Sequence, residues 1–196
     1  MERQSTDIRQ EQIKLAVIDI ISTDGLKNLS TRNLALHIGM SEGSIFRHFK
    51  TKKDIILSIF NDIQDNFIGE LKKIALSDEE PAIRLFKYLS ATIKYHTGKK
   101  GTNMLLFSEA FYNNDTDLKK CLQQIFHDQK HYVSKIILDG IDAGIWDENI
   151  LVDNVSSIYM GIPVVMNMEM LLGGKNLQFD DYCNNMAQLL LKMLRK

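Results

Sequence analysis

The residues whose types and spacing can do chemistry crowd into one stretch, LSTRNLALHIGMSEGSIFRHFKTKK, running from Leu29 to Lys53. The chemistry they offer is recognition. The forked guanidinium of Arg47 can pair with O6 and N7 of a guanine together, and the carboxylate of Glu42 can accept from N4 of a cytosine. Elsewhere, the sequence holds no glycine-rich phosphate loop, no GxSxG, no HExxH, and no cysteine or serine with an identifiable base partner. Catalysis is therefore not expected. His127 and His131 stand one helical turn apart, with Asp128 and Glu109 as further candidate ligands. Two histidines without a third identified ligand do not define a metal centre, so neither a metal nor another cofactor is expected.

The elements that must position Arg47 and Glu42 are short helices. Ser30 can N-cap one over Thr31 to Ile38, Gly39 can supply the positive φ that ends it, and Ser41 can N-cap a second through Phe49. Ala35 falls where the two would cross closely, and Leu34, Ile38 and Ile45 point inward. This is a helix-turn-helix. Ahead of it, Ile13, Ala16, Val17, Ile20 and Ile21 repeat at helical spacing and Asp24-Gly25 ends the run.

Thr31-Arg32, Gly39-Met40-Ser41, Ser44-Ile45-Phe46, His48-Phe49 and Lys52 together resemble the DNA-binding domain of the tetracycline-repressor (TetR) family of bacterial transcription regulators. The resemblance covers roughly Asp7 to Phe60 with specific motifs. It implies that Thr31, Arg32, His48 and Lys52 position phosphate, while Glu42, Gly43, Ser44 and Arg47 face the bases, Gly43 by close backbone approach, with Ser41 and Phe46 also at the DNA-binding surface. Two residues depart from the pattern. The family commonly has a tyrosine where Phe46 stands, so a phosphate-binding hydroxyl is missing, and Glu42 puts a carboxylate at the front of the recognition helix. An altered sequence preference is the expected consequence.

The chain of 196 residues is long enough for a substantial core, with a net charge of −1. That charge is uneven. Residues 1–53 hold nine Lys/Arg against six Asp/Glu, whereas the remainder holds fifteen against nineteen, a basic head on an acidic body. Cys121 and Cys183 belong to no metal or redox motif, which fits reduced thiols in the cytoplasm. The first ten residues lack the apolar core of a signal peptide. Ile158 to Met168 is too short for the roughly 20 residues of a membrane span, and no membrane association is expected.

After Lys52, Ile56, Ile59, Phe60, Ile63, Phe67, Leu71 and Ile74 predict one helix of some six turns. Ser77 and Glu80 suggest a capping box for the next, with Pro81 in its first turn and Ala82, Leu85, Phe86, Leu89 and Ile93 facing inward. Further helices follow over Met104 to Tyr112, over Leu118 to Ile137, over Val155 to Met170 with Pro163 inside, and over Phe179 to Leu194. The expected fold is all-α with about nine helices: a helix-turn-helix domain over 1–53, then a helical effector-binding and dimerisation domain over 54–196.

The eighth and ninth helices are more apolar than one neighbouring layer can cover. The resemblance implies a homodimer formed through them, which would account for the surplus, and two recognition helices related by a twofold axis would read a palindromic double-stranded operator. Phe67, Phe86, Met104, Phe107, Phe111, Tyr132, Tyr159 and Met160 are candidates to line a pocket for a small apolar or weakly polar effector, a fatty-acyl chain or an aromatic compound. Release from DNA on effector binding, hence a repressor, is what the resemblance implies. The competing reading is a helical protein-interaction module that has lost operator binding.

Overall fold

The computed structural model describes residues 5–98, 102–112, 114–173 and 179–195, with the backbone path alone at 102–105 and 112. Those residues contain helices and no strand. They group into two compact units, one within 1–63 and 102–123 and the other within 64–101 and 124–196.

In the first unit, α1 (Thr6–Asp24) begins where the Ser5 hydroxyl accepts from the Ile8 amide and ends at Gly25, whose φ of 82° suits a residue without Cβ. Its buried row is Ile13, Ala16, Val17, Ile20 and Ile21, as the spacing predicts. A 3-10 turn (Leu26–Asn28) leads to α2 (Thr31–His37), capped by Ser30 accepting from Asn33 N at 3.1 Å. Gly39, at φ 65°, turns the chain so that the Met40 amide reaches Ala35 O at 2.9 Å. Ser41 then caps α3 (Glu42–Phe46). This helix ends earlier than Phe49, although Arg47 keeps right-handed helical torsions and the Phe49 amide still reaches Ile45 O at 3.0 Å.

A capping box absent from the sequence reading starts α4 (Lys52–Asp62): the Thr51 hydroxyl accepts from Asp54 N, and the Asp54 carboxylate accepts from Thr51 N. The long straight helix expected from Lys52 to Ile74 is interrupted. A π-helical segment (Ile63–Ile68) separates α4 from α5 (Gly69–Ala75), so the helical run over 52–75 counts as one of nine helices or as two of ten. α7 (Thr102–Tyr112) packs on α1, and Phe107 meets Phe60 edge-on at 5.6 Å. The first residues of α8 (Thr116–Asp142) complete the unit, where the Asp115 carboxylate accepts from the amides of Asp117 and Leu118.

The second unit is built around α6 (Pro81–Gly98), which packs on α5, α9 (Val152–Leu171) and α10 (Phe179–Leu194). Proline at its first position is as expected, but the Ser77–Glu80 capping box does not form, because α6 begins only at Pro81 and Ser77 lies outside the cap position, its hydroxyl donating to Ile74 O. The inward row of α6 is Leu85, Tyr88, Leu89, Thr92 and Ile93; Phe86, expected inward, is exposed because it lies just beyond the edge of that row. Arg84, also buried, donates to Ala75 O at 2.6 Å and to Asp139 at 2.8 Å, so its charge is partnered. Gly140 lies under Trp146, where an added Cβ would sit 2.1 Å from the indole.

α9 buries Tyr159, Ile162, Pro163 and Met166, and α10 buries Cys183, Ala187, Leu190 and Leu194. Each carries a second apolar row that this unit leaves uncovered: Ile158, Val164, Val165, Met168 and Leu171 on α9, and Phe179, Leu189 and Met193 on α10.

Candidate nucleic-acid interface

The N-terminal ends of α2 and α3 are held beside each other by a single side-chain bond, in which the Thr31 hydroxyl donates to the Glu42 carboxylate at 2.8 Å. Glu42 therefore stays at the positive end of α3, where the helix dipole favours a carboxylate. Behind it the Ser41 and Ser44 hydroxyls lie 2.9 Å apart, and the Arg47 guanidinium donates to Ser44 Oγ at 2.7 Å. Ser44 and Arg47 stand three positions apart and share one face. Arg32 and Phe46 are exposed beside them.

At Gly43, an added Cβ would have Ser41 Oγ as its nearest neighbour at 4.0 Å, and no positive φ is present. Nothing within the chain requires glycine at this helical position, although glycine lowers helix stability. The open space lies outside the protein.

His48 is half-buried. Its carbonyl accepts from the Gln10 side chain at 3.2 Å, and its Nδ1 is buried without a partner. Lys52 is placed differently from the others: its ammonium pairs with the Glu109 carboxylate of α7. Next to it, Lys53 bridges Asp115 at 3.0 Å and Asp117 at 2.6 Å. The Leu118 amide and the Lys53 ammonium together hold the Asp115 carboxyl below its ordinary range. Lys53 was missed from the sequence because its acidic partners, Asp115 just before α8 and Asp117 in its first turn, lie outside any local pattern.

Glu109, considered above as a metal ligand, is occupied by Lys52. Asp128 accepts instead from Gln64 at 2.6 Å and Gln124 at 2.8 Å. The His127 and His131 rings stack at 6.3 Å, and among the described residues no group of three or more candidate ligands forms a metal site. Cys121 and Cys183 are free thiols, both pushed up by burial and so away from the thiolate.

The eight residues named for an effector pocket do not share one unit. Phe107 and Phe111 belong to the first, and Phe111 is 64% exposed; the side chain of Met104 lies outside the described residues. Phe67, Phe86, Tyr132, Tyr159 and Met160 belong to the second. Of these, Phe67 and Tyr159 are buried, Tyr132 and Met160 half-buried, and Phe86 exposed. The Tyr159 hydroxyl is bonded to Thr92 at 2.9 Å. Phe67 stacks on Tyr95 with ring centres 3.9 Å apart and meets the His96 ring edge-on at 5.9 Å. Sequence reasoning passed over His96 and Asn167, although Asn167 Nδ2 and His96 Nδ1 lie 3.1 Å apart inside this unit.

No helix among the described residues is long and apolar enough to cross a membrane.

Residues 16–59 match the family model for bacterial regulatory proteins of the tetR family. Among curated relatives, the chain is 24% identical over 127 residues to the nucleoid occlusion factor SlmA of Actinobacillus pleuropneumoniae, covering 64% of this chain and 63% of that protein. It is 24% identical over 137 residues to the fatty acid metabolism regulator protein of Bacillus subtilis, covering 68% of each. The match thus spans less than two thirds of the SlmA relative's length.

Its fold is that of FadR from Bacillus subtilis, a transcriptional regulator solved in complex with stearoyl-CoA, with a TM-score of 0.78 at 18% identity over 94% of this chain and 99% of that one. A tetR-family regulator from Rhodococcus gives 0.82 at 15% identity over 98% of both chains. The paired caps of Ser30 and Ser41, the turn at Gly39 and the polar face of α3 are the parts of this chain that the family model spans, so over residues 16–59 the chain is similar to bacterial regulatory proteins of the tetR family.

Proposed function

We propose that the protein is a homodimeric transcriptional repressor that binds a palindromic operator and leaves it when a fatty-acyl ligand enters its C-terminal domain. The observation that carries the DNA-binding half is the face of α3. Gly43 opens onto empty space, Ser44 and Arg47 share one face, and Arg32 lies exposed at the adjoining end of α2. A helix N-terminus with this surface fits the major groove, with Arg32 and Thr31 on phosphate, and Arg47, Ser44 and Glu42 toward base edges. In this reading, residues 1–53 form the DNA-reading domain and 54–196 the effector and dimerisation domain.

Dimerisation is supported by the uncovered apolar rows of α9 and α10, the eighth and ninth helices of the sequence reading. A second copy of the same surface related by a twofold axis would cover them and present two recognition helices to two half-sites. The acyl ligand is supported by the likeness to FadR, whose structure holds stearoyl-CoA. Release follows from population shift, which requires that the ligand bind one dimer geometry more tightly than the other. The covalent route from the ligand side to Lys52 is the helical run over 52–75.

Phe46 favours the rival interaction-module reading at one point: it is a 45% exposed aromatic without a hydroxyl for phosphate. Fluorescence anisotropy on duplexes tiled across the DNA flanking the gene, at two salt concentrations and with random competitor, decides between them. Competitor-resistant binding to one palindromic tile, relieved by an acyl-CoA, supports the regulator. Binding no better than to random DNA, with a protein partner recovered instead, supports the module.

A further inference from the structure

In the second unit the side-chain amide of Asn167 is 4% exposed, yet only one end of it is used. Its Nδ2 faces His96 Nδ1 at 3.1 Å, and its Oδ1 has no partner. In the orientation the structure gives this amide, Nδ2 donates, the imidazole proton is assigned to Nε2 and the open atom is an acceptor. The imidazole is itself fixed, edge-on to Phe67 at 5.9 Å and with the ring of Tyr95 at 5.5 Å.

A second orphan lies on the π-helical segment three residues before Phe67. Gln64 Nε2 donates to the Asp128 carboxylate, which can only accept, so the orientation of this amide is determined and its buried Oε1 is the atom left over. Two buried carbonyl oxygens without donors, one directly on the His96 cluster, are costly to leave empty, at about 1–3 kcal/mol each. Asn167 also follows Pro163 by one turn. Proline has no amide hydrogen, so the Tyr159 carbonyl drops out of the helical ladder in the same stretch of α9.

We infer that the His96–Asn167 pair is the polar anchor of the effector site, with Asn167 Oδ1 accepting a hydrogen bond from an uncharged donor, an amide N–H or a hydroxyl, on an otherwise apolar ligand. Charged alternatives fit the surroundings poorly. Asn167 and the aromatic rings carry no charge, and burial pushes His96 down to about 4, so the imidazole is neutral at physiological pH. An environment that strips the proton from an imidazole disfavours a carboxylate or an ammonium equally. A free fatty acid, ionised and without a donor, is therefore the wrong ligand for this point, whereas an acyl conjugate that carries amide N–H groups is a suitable one. The inference rests on the reading of 54–196 as an effector-binding domain.

The test is calorimetric titration of the full-length protein at pH 7.5 with four probes of equal chain length: decanamide, 1-decanol, methyl decanoate and sodium decanoate. The two donors are expected to bind roughly tenfold or more tightly than the methyl ester, the equivalent of one hydrogen bond of about 1.4 kcal/mol, and decanoate more weakly still. Asn167→Leu, close in size and apolar, is expected to fold and to bring donor and ester within about twofold of each other; Asn167→Ala serves as the second variant. Equal binding of alcohol and ester by the unmodified protein, no binding of any probe, or a donor preference that survives both substitutions overturns the inference, the last assigning the open amide to a structural water only. Operator binding measured on the same samples separates the two readings. Loss of all DNA recognition overturns the regulator while leaving the probe series to stand or fall by itself.

Discussion

Lys52 and Glu109 form an ion pair whose two members are unequally buried: the carboxylate side chain is 7% exposed and the ammonium side chain 36%. The lysine that opens α4 is thereby tied to α7 within the first unit. Removing either partner leaves the other with a different problem, because a half-exposed ammonium can turn to water and a buried carboxylate cannot.

Lys52→Ala is accordingly expected to destabilise the protein by about 3 kcal/mol in urea denaturation, since it strands Glu109 in the interior. Glu109→Gln should cost less than about 1 kcal/mol. Because it also frees the ammonium for phosphate, Glu109→Gln should tighten DNA binding and steepen its salt dependence by about one counterion. Equal losses of stability in the two variants would show that removing Lys52 does not strand Glu109.

Arg47 and Arg32 are expected to part company on DNA. Arg47→Ala should cost about 1–3 kcal/mol on the operator and much less on random duplex, which relaxes sequence preference. Arg32→Ala should weaken both equally and reduce the salt slope by about one. Anisotropy titrations at three salt concentrations provide the comparison, and an equal effect of Arg47→Ala on both duplexes would remove it from base reading.

At Gly43, stability and function should move in opposite directions. Gly43→Ala meets no atom of the chain nearer than 4.0 Å, and alanine is the better helix former by about 0.5–1 kcal/mol. The melting temperature should therefore rise while operator affinity falls. A variant that gains stability without losing affinity would mean that no DNA backbone approaches this position.

His96 sets an acid limit. Its native pKa of about 4 lies below the ordinary 6.5, so the native state binds fewer protons than the unfolded chain between those values. The stability this represents is fully present above pH 6.5 and is lost as pH falls toward 4, by up to about 3 kcal/mol. His96→Phe is expected to flatten the denaturation midpoint across that interval; a slope unchanged from the unmodified protein would assign the acid sensitivity to other groups.

Charge placed on the uncovered rows of α9 and α10 should separate the proposed dimer without unfolding its chains. Val165→Glu and Leu189→Glu alter side chains that are already exposed, so the helical circular dichroism should persist while light scattering reports a monomer. A dimer unaffected by both substitutions would place the interface elsewhere.

Local spacing carried most of the helix-turn-helix. Ser30 and Ser41 cap the helices they were expected to cap, Gly39 takes the positive φ, and the buried row of α1 is the one its periodicity names. Each of these outcomes is decided within about five residues, by a hydroxyl reaching an amide or by side chains recurring every turn. The same reasoning failed where two local solutions compete. Ser77 bonds backward to Ile74 and not forward into a capping box, and Phe86 misses the buried row of α6 by one position.

What the sequence by itself determined was the all-helical class, the DNA-reading motif and the surplus of apolar surface on the last two helices. The partners of Lys52, Lys53, His96 and Asn167 were decided only by the tertiary structure. Asn167 stands 71 positions from His96, and Lys53 stands 64 from Asp117. A lysine or an amide in a sequence has the same chemistry beside any carboxylate or imidazole. Only the packing of α7 and the first turns of α8 within one unit, and of α6 against α9 within the other, selects which one it meets and how much water is left around the pair.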